Sequence, residues 1–209
     1  MGRYTEAVCR LCRRENTKLF LKGDRCNMAK CPIETGRGIP GMHAAKRVKL
    51  SDYGKQFREK QRLKRMYGVR EGQFRVFFDR ARSARGNTGE MLLQSLEMRL
   101  DNLVFRLGMA PSRRAARQMV LHRHIRVNGR RAYTPSMVLK AGDAVQVKDA
   151  AKSREHARKA LEATESRAPC SWLSVDRKEC SGVVLHVPTR EEIAPVVDEQ
   201  LVVELCSKS

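Results

Sequence analysis

The stretch from Arg99 to Gly129, RLDNLVFRLGMAPSRRAARQMVLHRHIRVNG, decides the fold. Leucines at helical spacing run up to Gly108, and a second helix with inward-facing small and apolar residues follows. After that helix the apolar period changes to two, because Ile125 and Val127 alternate with basic residues. Asn128-Gly129 then predicts a tight turn between two strands. The stretch therefore predicts a pair of helices followed by a small antiparallel sheet.

Several basic residues lie at the start of the second of these helices. Ser112, Arg113, Arg114 and Arg117 lie in or beside its first turns. The backbone N–H groups at a helix start attract phosphate through the helix dipole and by direct donation. This segment is therefore a predicted phosphate-binding site.

His122 and His124 follow the same helix, and two histidines this close could form a catalytic or metal-binding pair. No acidic residue that could orient them, and no nucleophile, stands near them in the sequence. Contact with RNA, or capping of the helix, is therefore the preferred interpretation of both residues.

The segment 46–85 is the densest basic part of the chain. From Ser51, apolar residues at helical spacing predict two amphipathic helices. Their basic positions are Lys55, Arg58, Arg62, Lys64, Arg65, Arg75, Arg82 and Arg85. The segment supplies only four acidic residues as partners, so most of these cations are predicted to need an external anion. The aromatic residues Phe74, Phe77 and Phe78 have helical spacing and are assigned to the core, not to base stacking.

The chain beyond the quoted stretch alternates between short strand and helix patterns. Strands are predicted at 145–147, 172–175 and 183–185, a polar helix at 152–168, and a capped turn at 189–192. The final apolar run, 201–205, is compatible with a short helix or with a strand.

Four cysteines lie near the N-terminus in two closely spaced pairs, Cys9 with Cys12 and Cys26 with Cys31. Four thiolates supply the full ligand set of a structural Zn²⁺ site, and an iron–sulfur cluster is the alternative. Residues 1–45 contain few apolar side chains, so we expect the metal to supply their folding energy. A filled ligand set leaves no open position for catalysis. The other cysteines, Cys170, Cys180 and Cys206, lack ligand spacing and are interpreted as incidental.

The charge of the chain is strongly positive and unevenly distributed. The sequence has 43 Lys and Arg residues against 23 Asp and Glu, a formal net charge of +20. Residues 1–148 hold 34 of the basic residues and 12 of the acidic ones. An excess of this size opposes compaction unless a polyanion neutralises it, so a nucleic acid is the expected partner.

The sequence also indicates in which cellular compartment the protein is located. It has no apolar run of membrane-spanning length, and its first residues lack the core of a signal peptide. A cytoplasmic protein is therefore predicted, and in that compartment the cysteines are not expected to form disulfides.

Taken together, these features resemble the universal S-four family of bacterial small-subunit ribosomal proteins, in its four-cysteine metal-binding type. The quoted stretch is similar to the RNA-binding module named after that family, an αα-hairpin followed by a small antiparallel sheet. The resemblance covers essentially the whole chain through the cysteine pairs, Leu50-Ser-Asp-Tyr53-Gly54, Tyr67-Gly68-Val69, Gly86-Asn87-Thr88-Gly89-Glu90 and Glu199-Gln-Leu-Val-Val-Glu204. One loop departs from the family pattern, since Gly41-Met42-His43-Ala44 replaces Gly-Gln-His-Gly.

The resemblance implies a structural constituent of the small ribosomal subunit. It implies early binding to the 5′ domain of small-subunit ribosomal RNA, at a junction of several helices. It also implies a place beside the path of incoming messenger RNA, with ribosomal proteins S-three and S-five as neighbours. Lys46, Arg47 and Lys49 are expected to face the messenger, with anchoring of ribosomal helices as the alternative.

The predicted fold class is α+β, in three parts. These parts are a metal knuckle at 1–45, a helical domain at 46–98 joined by 191–209, and an RNA-binding module at 99–190. The predicted RNA-binding residues are Lys46, Arg47, Lys49, Lys55, Arg58, Arg62, Lys64, Arg65, Arg99, Arg106, Ser112, Arg113, Arg114, Arg117, His122, His124 and Arg126.

Two other classes of protein compete with the ribosomal interpretation. An RNA-modifying enzyme could carry the same module, but the chain has neither a cofactor loop nor room for a catalytic domain. A zinc-dependent DNA-binding regulator would need a recognition helix between its cysteine pairs, and that interval is too short to hold one. No small-molecule substrate and no membrane are expected.

Overall fold

The computed structural model describes residues 4–42, 49–165, 170–193 and 197–208. The α-helices in these residues are α1 Cys9–Glu15, α2 Asp52–Tyr67, α3 Glu71–Ser83, α4 Thr88–Glu97, α5 Leu100–Arg106, α6 Arg113–Leu121, α7 Ala151–Ala163 and α8 Glu199–Ser207. The strands are β1 Ile125–Val127, β2 Arg130–Ala132, β3 Ala144–Val147, β4 Leu173–Asp176 and β5 Ser181–Val184. They form one antiparallel sheet in the order β2-β1-β3-β5-β4. The chain therefore combines helices with a small antiparallel sheet.

The chain divides into two compact units, residues 1–89 with 195–209 and residues 90–194. The sequence placed this boundary after residue 98, and the structure places it after Gly89. The difference arises because most of α4 belongs to the second unit. Met98, which follows α4, is buried in the hydrophobic core of that unit.

In the first unit, α2 begins and ends where the sequence predicts. The Ser51 side chain accepts a hydrogen bond from the Gly54 N–H, which confirms Ser51 as the N-cap. Gly68 ends the helix with a φ of 63°, in the left-handed region that glycine adopts readily. The phenylalanines of α3 are all buried, so their assignment to the core is confirmed.

The C-terminal apolar run is a helix, α8, and it packs against α2. Asp198 begins this helix by accepting hydrogen bonds from the N–H groups of Gln200 and Leu201. The Gln56 side chain of α2 donates to the Glu204 carboxylate at 2.6 Å. These contacts fix the end of the chain within the first unit.

The leucine-rich segment before Gly108 forms two abutting helices, α4 and α5. Arg99 between them has extended backbone, and the Leu100 N–H donates to the Met137 carbonyl at 2.8 Å. Thr88 is the first residue of α4, and the Asn87 side chain accepts the Gly89 N–H.

The sheet follows from the tight turn that the sequence predicts at Asn128 and Gly129. Both residues have positive φ, 49° and 76°, as the favoured two-residue hairpin turn requires. The core face of the sheet carries buried apolar residues of β1, β3 and β5, which join α5 and α6 in one hydrophobic core.

The remaining elements agree with the sequence in kind and differ at their ends. β3, β4 and β5 cover the three predicted strands with shifts of one or two residues. The polar helix α7 ends at Ala163, and the predicted end at residue 168 lies outside the described residues. The capped turn is confirmed, since the Thr189 N–H donates to the Glu192 carboxylate at 2.9 Å. None of the described helices is long and apolar enough to cross a membrane.

Candidate nucleic-acid interface

The N-terminal cysteines gather in a small region of the first unit. Cys12, Cys26 and Cys31 are buried, and Cys9 is partly buried. Burial raises the pKa of the Cys12 and Cys26 thiols, and the neighbouring cysteines raise it further. Backbone N–H groups oppose this rise in pKa, because Leu19 donates to Cys12 and Lys22 to Cys26.

This cluster has the donor chemistry of a thiolate metal site, but not its finished geometry. All four thiols are free of disulfides. Among the described residues, no group of three or more Cys, His or acidic side chains is arranged so that it could already hold a metal ion. A bound ion would therefore have to draw the four sulfur atoms closer together.

The cations of α2 have more protein partners than the sequence suggested. Arg58 and Arg65 both pair with Glu15 of α1, whose side chain is completely buried. Lys64 pairs with Glu71 at 2.7 Å. Arg62 pairs with Glu59 at 2.6 Å and Lys55 with Asp52 at 2.9 Å, both within α2.

The prediction that most of the eight named cations need an external anion is therefore wrong. Five of the eight named cations have a carboxylate partner, and the sequence could not reveal Glu15, which lies 43 residues before Arg58. These pairs neutralise part of the helix face, although the side chains of Arg58 and Arg65 remain about one fifth exposed. Arg82 and Arg85 are fully on the surface.

Arg99 is a structural residue. Its side chain is completely buried and forms a two-point ion pair with Asp101, with nitrogen–oxygen distances of 3.0 and 2.7 Å. A charge buried in this way must be paired, and Asp101 provides the partner. The prediction that Arg99 contacts RNA is therefore corrected, because an external phosphate cannot reach its guanidinium group.

A second network connects α4, α5 and α6. Arg106 pairs with Glu97 at 2.5 and 3.0 Å, and Asn102 donates to the same carboxylate at 2.6 Å. The Asn102 carbonyl oxygen accepts the Arg113 Nε–H at 2.8 Å, and the Arg113 guanidinium lies 4.6 Å from the centre of the Phe105 ring. This network fixes the position of the Arg113 side chain at the start of α6.

The remaining residues at the start of α6 have separable roles. The Ser112 side chain accepts the Ala115 N–H, so Ser112 caps the helix. Arg117 donates to Asp101 at 3.1 Å and stays about one quarter exposed. Arg114 is exposed. The helix start thus presents arginines held at set positions beside its first N–H groups, the arrangement that favours phosphate.

The two histidines differ in environment. His122 is exposed, whereas the Nδ1 atom of His124 lies 2.9 Å from the Ser153 hydroxyl. Burial lowers the pKa of His124, and the nearby positive groups of His122, Lys148 and His156 lower it further. The lowered pKa favours the neutral imidazole of His124, and its hydrogen bond to the Ser153 hydroxyl favours a positioning role over catalysis.

The hairpin carries exposed cations that the sequence reading missed. Arg123, Arg130 and Arg131 are exposed, and Arg131 lies directly opposite Arg126 across the strands. Like charges in this position repel each other unless an anion lies between them. The sequence did contain the signal, because a two-residue turn at Asn128-Gly129 sets 126 opposite 131.

The loop before α2 is only partly described. Lys49 is exposed, while Lys46 and Arg47 lie outside the described residues. In the loop that differs from the family pattern, the Met42 side chain is almost entirely exposed. His43 and Ala44 of this loop lie outside the described residues.

Comparison with known proteins gives consistent matches along the chain. The profile described as "Ribosomal protein S4/S9 N-terminal domain" matches residues 3–97, and the profile "S4 domain" matches residues 98–145. The small ribosomal subunit protein uS4 of Anaeromyxobacter sp. (strain Fw109-5) is 51% identical over 208 residues. The uS4A protein of Myxococcus xanthus is 50% identical and the uS4 protein of Acidithiobacillus ferrooxidans 51% identical. Each alignment covers 100% of both chains.

Proposed function

Since this chain belongs to the family of the small ribosomal subunit protein uS4, we propose that it is a structural constituent of the small ribosomal subunit. It binds ribosomal RNA and is not an enzyme. The observation that carries this function is the set of arginines in the second unit. They lie at the start of α6 and in the opposed pair Arg126 and Arg131. Arginines held at a helix start, and two arginines opposite each other on neighbouring strands, are favourable partners for phosphate oxygens.

The proposed role in the ribosome is that of a primary binder. The chain would attach early to the 5′ domain of small-subunit ribosomal RNA and help to nucleate its assembly in the cytoplasm. Recognition of a multi-helix junction depends on shape and on phosphate contacts, which matches a protein rich in arginine. Ribosomal proteins S-three and S-five are its proposed neighbours, by the family resemblance.

The identity of the co-purifying RNA tests this function. We expect an affinity-tagged copy of the chain to sediment with small ribosomal subunits and to carry small-subunit ribosomal RNA. The variant with Arg126→Ala and Arg131→Ala should enter subunits less efficiently, because it loses two phosphate contacts. A matched control is Lys178→Ala with Lys208→Ala, which removes the same charge from exposed positions elsewhere. Recovery of the tagged chain without ribosomal RNA would refute the function.

We further propose that Cys9, Cys12, Cys26 and Cys31 hold one Zn²⁺ ion, with an iron–sulfur cluster as the alternative. The support is chemical. Four free thiols lie in one region, and backbone N–H groups already donate to two of the sulfur atoms. Such a site would be structural, because its ligand set is filled by protein.

We also propose that Lys46, Arg47 and Lys49 form a basic surface beside the path of incoming messenger RNA. Three cations in four positions attract any sequence of single-stranded RNA. Triple substitution with Ala should give subunits that assemble normally but unwind structured messages poorly in a translation assay. If these residues anchor ribosomal helices, the same variant should accumulate precursor particles in a gradient while surviving ribosomes unwind messages normally.

A further inference from the structure

Phe20 has a backbone conformation that is unusual for an aromatic residue. Its φ is 50°, in the left-handed region that glycine and asparagine enter most easily. Asn16 and Asn128 have similar angles, but asparagine tolerates them because its short side chain can hydrogen-bond locally. Arg123 and Cys180 also have positive φ, and Phe20 is the only aromatic residue with such an angle among the described residues.

The cysteine cluster explains the backbone at this position. The Leu19 N–H donates to Cys12, and the Lys22 N–H donates to the Cys26 sulfur at 3.3 Å. Leu19 is fully buried, so the chain must reverse between it and Lys22 to reach both sulfur atoms. The left-handed backbone of Phe20 lies between these two contacts, and glycine or asparagine would adopt that conformation with less strain.

The ring itself takes no part in the core. Phe20 is 44% exposed, although a core position lies immediately before it. The same loop carries exposed cations at Lys22, Arg25 and Lys30. An exposed ring among cations is the combination that binds single-stranded nucleic acid, since bases stack on the ring and phosphates pair with the charges.

We propose that Phe20 stacks on an unpaired base of the ribosomal RNA, with Lys22 and Arg25 neutralising the adjoining phosphates. This inference rests on the proposed function and gives the first unit a base contact of its own, in addition to the phosphate contacts proposed for the second unit. The partner is RNA, because the cations of the loop match a polyanion. Stacking is indifferent to the identity of the base, so Phe20 contributes affinity without reading sequence.

The test compares two substitutions at this position in the full-length, metal-loaded chain. Phe20→Asn keeps the left-handed backbone and removes the ring. Its dissociation constant for a ribosomal RNA fragment should rise about fivefold to a hundredfold, the range for one lost base stack. The slope of affinity against salt should stay the same, because no phosphate contact is lost. Val76→Ala, which trims an exposed apolar residue of α3, is the matched control and should bind like the parent.

Phe20→Trp provides the second, independent readout. It should retain the parent affinity, and its added fluorescence should be quenched when RNA binds. The existing Trp172 is buried and supplies a constant background.

Binding of Phe20→Asn at parent affinity, or an unquenched Phe20→Trp, overturns this inference and leaves the proposed function intact. If Phe20→Asn binds RNA normally but fails to enter subunits, the ring contacts a protein neighbour and the inference is again wrong. Failure of the parent chain itself to bind the fragment would instead refute the proposed function.

Discussion

Removal of the proposed metal should unfold the N-terminal segment, residues 4–42, and leave the second unit folded. The buried hydrophobic residues of this segment are three cysteines together with Val8 and Leu19, far too few for a stable core. Structural zinc contributes about 10–16 kcal/mol of binding free energy in small domains, so it would dominate the stability here. Treatment with a chelator, or the substitution Cys12→Ser, should abolish metal binding and expose the segment to limited proteolysis.

The controls separate a metal site from a general loss of stability. Cys206→Ser changes a partly buried thiol outside the cluster and should leave the metal content and the proteolysis pattern unchanged. Metal analysis of the intact chain should find about one zinc ion per chain, whereas iron with visible absorption would identify a cluster. A metal-free protein whose N-terminal segment resists proteolysis would refute the proposal.

The ion pairs of Glu15 predict how the metal-free chain behaves. Glu15 ends α1, the helix that carries Cys9 and Cys12, and it pairs with Arg58 and Arg65 of α2. Loss of the metal should loosen α1, so these arginines would lose their carboxylate partner. The basic face of α2 is therefore expected to change when the metal is removed.

Local signals allowed much of the fold to be predicted from the sequence. Ser51 caps its helix as expected, since capping depends on a hydroxyl three residues before a backbone N–H. Asn128-Gly129 determined the hairpin, because few residue pairs adopt its backbone angles. Each of these features depends on residues close together in the chain.

The errors concern burial in the packed structure, interactions between residues far apart in the chain, or a choice between equivalent local patterns. Arg99 looked like its neighbouring cations, and only the packed structure shows that Asp101 holds it in the interior. Glu15 is separated from Arg65 by 50 residues, so counting acids within the α2 segment missed it. The final apolar run could not be assigned as helix or strand until its contact with α2 was known.

The residues of the candidate site also divide into those that were predicted from the sequence and those that were missed. The start of α6 was predicted because its arginines adjoin a recognisable helix start. Arg131 could have been found from the sequence, because a two-residue turn at Asn128-Gly129 sets it opposite Arg126, and the strand register has this pairing. The exposure of Phe20 was hidden, since an aromatic residue next to a buried leucine looks like core in a sequence.

Direct binding to ribosomal RNA through many phosphate contacts is tested best by a titration at increasing salt. The affinity of the metal-loaded chain for the 5′ domain of small-subunit ribosomal RNA should fall by about 10³–10⁵ between 50 and 200 mM salt, as six to ten phosphate contacts imply. The double variant Arg113→Ala with Arg117→Ala should flatten the logarithmic slope by about two units, because each arginine neutralises about one phosphate.

The variant with Lys178→Ala and Lys208→Ala serves as the charge-matched control, and thermal melting of every variant checks that the fold is retained. We expect a steep slope for the parent and the control, and a flatter slope for the arginine variant. A parent slope near one or two would mean that the basic faces are merely solvated, and it would contradict the proposed function.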